Sequence, residues 1–244
     1  MSYVYGLLDI ANGLVLLVVL VLILRGSFRK YWALAGYVTW ELIANTALTS
    51  FDLLYNGAAL GNGAPASAVK LYARLYWSND VIVDLFRFIL VIVLTYRATS
   101  AGARSPLIGR SLAGVVALAI GLPFLLFPMG SQPWPRSAWF NSTTELLNFG
   151  AAIMNLVLWG ALLANRKRDH QLTVVSIGLG VVVTGAAISY GIRHLIPVEA
   201  IFLPNLFLML TQIAGWTIWC RAFWPVPAPH PAPDPAPGNA LQSP

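Results

Sequence analysis

Long apolar runs, each interrupted by a short polar or Gly/Pro-rich interval, recur seven times along this 244-residue chain. A membrane-crossing helix needs about 20 mainly apolar residues. Tyr5–Leu24, Trp32–Tyr55, Trp77–Tyr96, Ile108–Phe127, Thr143–Ala164, Leu172–Leu195 and Ala200–Trp219 are runs of that kind. The pattern predicts an all-α integral membrane protein, a seven-transmembrane helix bundle over residues 1–224. The Pro/Ala-rich segment 225–244 has too little apolar surface to fold and is expected to be a disordered tail. The first run is expected to stay as helix one. No basic residue precedes it, Asp9 lies within it, and Arg25 and Lys30 follow it where a secretory leader would have a small-residue cleavage site.

Composition agrees with the pattern, at 58% hydrophobic and only 10% charged residues, with mean hydropathy +0.71. Soluble domains carry roughly 25% charged residues, so a water-soluble fold is excluded. The net charge of +6 raises the question of nucleic acid, but the positives sit in short intervals between runs and form no basic stripe interleaved with aromatics. Arg25, Arg29, Lys30, Arg97, Arg104, Arg110, Arg166, Lys167, Arg168 and Arg221 fall on one set of alternate connections. The positive-inside rule then predicts an N-terminus outside and a cytoplasmic C-terminus, in a multi-pass protein of the cell membrane. Cys220 is the sole cysteine, which rules out an intramolecular disulfide or a thiolate metal cluster.

Ionisable residues inside the runs carry the chemical interest, because a lone charge at the bilayer centre costs roughly 2.5–3.5 kcal/mol on insertion scales. The stretch WSNDVIVDLFR sets Asp80, Asp84 and Arg87 at i, i+4 and i+7, on one helical face. Glu41 lies about 14 Å along the second run, at a depth matching Arg87 on the third. A Glu41–Arg87 ion pair, shared with Asp84, is expected. Asp52, Glu145, Asn148 and His194 fall at comparable or shallower depth and complete a candidate ligand or ion-pair network. Gly121 and Pro123 should bend the fourth run. Ser176, Gly180 and Thr184, spaced by four, predict a small-residue packing stripe on the sixth.

Two readings of the polar set stand side by side. Buried pairs and amides join helices without binding anything, and groups near helix ends face headgroups or water. Alternatively, the set lines an outward-facing polar cavity. Carboxylates outnumber bases in it, which favours a proton, a cation or an amine over an anion. Tyr55, Tyr72, Tyr76, Trp77 and Tyr190 are placed to cover such a ligand, or to anchor the helices at the interface.

Seven helices with the N-terminus outside resemble the topology of microbial rhodopsins and G-protein-coupled receptors, in helix count and orientation alone. The resemblance implies no pigment, since Lys30, Lys70 and Lys167 all lie between the runs and none is placed to form a retinal Schiff base. Only His194 approaches a membrane run closely enough to be considered for haem, no HExxH occurs, and Asp80 and Asp84 share one helix instead of facing each other as a dyad. No cofactor, metal or enzymatic activity is expected. The expected partners are membrane lipids and either a cationic or amine small molecule or another membrane subunit. A small-molecule or cation sensor or binding protein, a small proton- or cation-coupled transporter, and a structural or accessory subunit all fit the sequence.

Overall fold

The computed structural model describes residues 2–56, 66–100, 106–126, 137–164, 169–193, 195–197, 200 and 202–225. The helices are α1 (Ser2–Gly26), α2 (Trp32–Asn56), α3 (Ala66–Ser100), α4 (Pro106–Leu126), α5 (Ser137–Ala164), α6 (His170–Arg193) and α7 (Phe202–Phe223). The tail from residue 226 onward lies outside the described residues.

The expectation of seven membrane-crossing helices is corrected. By length and apolar composition, four of the described helical stretches qualify: Gly6–Gly26, Trp139–Ala164, His170–Arg193 and Phe202–Phe223. The protein is thus an all-α, multi-pass membrane protein whose bundle mixes apolar spans with more polar helices. The reason lies in the residues. α2 dilutes its aliphatics with Glu41, Asn45 and several threonines, and α3 carries Lys70, Arg74, Asp80, Asp84, Arg87 and Arg97. In α4 the described apolar stretch is only Ala113–Leu126, and the helix runs on through Pro123. Run length alone passed over these polar residues, of which Glu41, Asp80, Asp84 and Arg87 find partners inside the bundle. α3 also begins earlier than its apolar run, at Ala66, and is a single helix of 35 residues.

Local chemistry sets the helix ends. After Gly26 the chain reverses through a tight turn, with the amides of Lys30 and Tyr31 donating to the Ser27 carbonyl at 3.0 and 2.9 Å. Asp169 caps α6: its Oδ1 accepts from the Leu172 amide at 3.1 Å and its carbonyl accepts from the Thr173 amide at 3.0 Å.

Contacts close a ring in the order α1, α2, α3, α5, α6, α7 and back to α1. α3 also touches α6 across the ring, and α4 leans on α3 and α5 from outside. α6 is the most enclosed span, 61% buried, against 17–28% for the other three. The apolar core fills the half of the bundle where α1 ends, around Ile23, Leu34, Leu90, Leu179, Trp216 and Trp219. Large side chains of α1 such as Leu7, Ile10 and Leu14 point outward, as lipid contact requires.

Lipid tails are as apolar as leucine, so helix association rests on close packing and polar links. Both are present. A Cβ on Gly215 would lie 2.9 Å from the Gly178 carbonyl, and one on Gly178 would lie 3.0 Å from the Gly215 carbonyl and against the Trp219 indole. α6 and α7 therefore touch backbone to backbone. The predicted stripe is only partly in this interface. Gly180 faces Asn155 of α5, and Thr184 is exposed.

Candidate functional site

The face of α3 that carries Asp80, Asp84 and Arg87 turns into the ring, where α2, α5 and α6 meet it. Arg87 is 3% exposed and Asp84 1%. Each guanidinium nitrogen of Arg87 has an assigned partner. Nη1 donates to Asp84 Oδ1 at 2.8 Å, Nη2 to Glu41 Oε1 at 3.2 Å, and Nε to the Tyr37 hydroxyl at 2.9 Å. Tyr37 in turn donates to Glu41 Oε1 at 2.9 Å. The phenol thus accepts from the cation and donates to the anion, which closes a three-membered cycle between α2 and α3. Residues 37 and 41 are one turn apart, so α2 presents both on the same face.

A second cluster lies farther along the same face of α3. The Tyr190 hydroxyl of α6 donates to Asp80 Oδ2 at 2.7 Å. The Arg193 guanidinium stacks 4.3 Å from the Tyr190 ring and donates to Asn205 Oδ1 of α7 at 2.8 Å. On the neighbouring flank of α3, the Trp40 indole donates to Asn79 Oδ1 at 3.1 Å. Together the links tie α2, α3, α6 and α7.

Asn148 of α5 lies beside the Asp84 carboxylate. Its amide nitrogen donates back to the Thr144 carbonyl at 2.9 Å. Asp84 Oδ2, Asn148 Oδ1 and Thr144 Oγ1 are all buried without a hydrogen-bond partner. Three carboxylates, Glu41, Asp80 and Asp84, stand with two guanidiniums, Arg87 and Arg193, so with every group ionised the seam carries one net negative charge.

Of the residues singled out in sequence, the structure brings Glu41, Asp84 and Arg87 into direct contact, sets Asp80 on the same face, and adds Asn148 from α5. Glu145 is half-buried in the same turn as Thr144. The Asp52 side chain and His194 lie outside the described residues. What forms is a buried hydrogen-bonded seam. A recess of about 360 Å³ does open between α2 and α3, but Trp40, Ala44, Ala47, Phe51, Leu75 and Ile82 make its lining apolar. Sequence reasoning missed Tyr37, whose position four residues before Glu41 was the available signal, and it read Tyr190 as a rim aromatic. Among the described residues no group of three or more His, Cys, Asp or Glu side chains is placed to hold a metal ion.

At the opposite end, where α1, α3 and α7 finish and α6 begins, Lys30 pairs with Asp169 at 3.0 Å and Arg97 donates to the Lys30 carbonyl at 2.6 Å. Both cations lie over the Tyr31 ring, which packs edge-on against Phe223. Burial and the neighbouring Asp169 charge push the Tyr31 phenol up, against the lowering effect of Arg97. For Asp169, partial burial acts upward. The Lys30 and Leu172 hydrogen bonds and the positive charges of Lys30 and Arg97 outweigh it and hold the carboxyl below the ordinary aspartate range.

No protein-family model, no curated protein and no solved structure matches this chain.

Proposed function

We propose that this membrane protein is a sensor or binding protein for a proton or small cation, received at the Asp80–Asp84–Glu41 seam, and that its role is binding and not catalysis. The observation that carries the reading is Asp84: one carboxylate oxygen is neutralised by Arg87, while the other is buried with no donor, in a seam that already has one negative charge in excess. A carboxylate charge in excess of the cations around it is costly at such a site, and a positive ligand relieves the cost. Transport is the weaker alternative, because Tyr37, Trp216 and Trp219 pack edge-on and tilted into a fully buried aromatic plug beside the seam.

The test is thermal stability of the purified protein across a pH series and across alkali cations and small amines, with Asp84→Asn run in parallel. A rise in Tm of several degrees with one ligand class, absent in the variant, is the expected outcome. Identical, flat responses in both proteins reject the reading and leave the seam as helix-joining structure.

A further inference from the structure

Two unpartnered atoms at the α3–α5 contact narrow the ligand. Asp84 Oδ2 and Asn148 Oδ1 are both acceptors, both buried and both without a donor, on side chains close enough for the Asn148 amide to reach the carboxylate group. The Asn148 amide is not free to turn over, since its NH₂ group holds the Thr144 carbonyl at 2.9 Å and its oxygen in that place would set two acceptors together. What this pair lacks is a single hydrogen. From geometry and charge, and resting on the reading above, we infer that the ligand is a proton, bound by Asp84 and handed as an O–H donor to Asn148 Oδ1, so that one proton joins α3 to α5.

The other acids are poorer candidates. Glu41 Oε1 already accepts from both Arg87 and Tyr37, and Asp80 Oδ2 accepts from Tyr190. The surroundings of Asp84 are accounted for helix by helix. α2 brings Glu41 and Tyr37; α3 itself brings Asp80, Arg87 and Tyr76; α6 brings Tyr190 and Arg193; and α5 has Glu145 in the turn of Thr144. α4 carries Arg110 at its far end. Glu41 and Asp84 share Arg87, at 3.2 and 2.8 Å, and Arg193 acts on Asp80 through its charge, so three carboxylates stand with two cations and one proton brings the seam to neutrality. A cation of larger size needs several converging oxygens at a few ångströms. The unpartnered oxygens here are Asp84 Oδ2, Asn148 Oδ1 and Thr144 Oγ1, and Arg87 stands 2.8 Å from the other Asp84 oxygen.

Infrared difference spectroscopy of the full chain in lipid, titrated in pH with and without sodium, tests the assignment. At about pH 6, well above the ordinary aspartate range, a protonated-carboxyl C=O band is expected. It should be lost in Asp84→Asn, retained in Asp80→Asn, and shifted in frequency in Asn148→Leu, where the acceptor of the O–H is gone. Absence of the band in the unmodified protein overturns the proton assignment, as does a band that survives Asp84→Asn and disappears in Asp80→Asn or Glu41→Gln. A Tm that rises with sodium, with no such band, rejects the proton while the cation-binding reading stands. Neither band nor Tm response rejects both. An unmoved frequency in Asn148→Leu removes Asn148 as the acceptor.

Discussion

Arg87 shows why the seam is a unit and not a set of pairs. Its three nitrogens serve three different groups, on two helices, from a site almost closed to solvent. Arg87→Ala therefore leaves two carboxylates facing each other without a cation, and a cost of about 3–5 kcal/mol is expected. In a Glu41→Ala background the same change should cost measurably less; equal losses in a melting assay refute the coupling. Arg87→Lys is not expected to rescue, because one ammonium does not reproduce a planar fork aimed at three partners. Matching depths on consecutive helices made Glu41, Asp84 and Arg87 legible from sequence. Tyr37 was not, because a tyrosine in an apolar run is read by its ring, whereas here the hydroxyl does the work of relaying charge. The orphaned oxygens were equally invisible. Which atom of an Asn or Asp lacks a partner is decided by the rotamer the packed side chain takes, here Asn148 turned back onto the Thr144 carbonyl of its own helix.

At the scale of elements, the α6–α7 pair is the most specific contact, because neither glycine at its centre has room for a side chain. Gly215→Ala sets a methyl against the Gly178 carbonyl and Val182, and a loss of about 1–3 kcal/mol is expected from overpacking. Gly114→Ala of α4 is the control: nothing lies within 4 Å of its Cβ position, and with better helix propensity its Tm should equal or exceed that of the unmodified protein. Equal effects at the two sites would show that the close approach does not matter. Seven helical segments were readable from run length, but their standing as seven spans was not. Polar side chains lower the apolar content of α2 and α3 while gaining partners inside the ring, so a count of hydrophobic length overstates them. The small-residue stripe is a packing face only in part, for a related reason. α6 carries small residues on several faces, and spacing alone does not tell the one facing α7, at Gly178 and Gly185, from the one holding exposed Thr184.

Across the whole molecule, the ion pairs described above fall at two places separated by the apolar core, and the two should answer pH differently. The Lys30–Asp169 latch joins the α1–α2 turn to the start of α6, with both side chains about a third exposed, so its electrostatic contribution is expected to stay below about 1 kcal/mol. Because the Asp169 carboxyl is held below its ordinary value in the folded protein, this stabilisation is fully present above the ordinary aspartate value and is lost as pH falls through the depressed one. Asp169→Asn isolates the charge, since asparagine caps a helix as well as aspartate does. The two proteins should differ slightly near neutrality, less so in high salt, and converge in acid. A gap that persists at low pH and high salt would assign Asp169 to capping alone. The seam should behave oppositely: it lies away from water, so salt has little reach there, and its response should survive Asp169→Asn unchanged. A titration of Tm that splits in this way, with an acid limb removed at Asp169 and a separate limb removed at Asp84, would separate a latch that holds the bundle from a site that reads its surroundings.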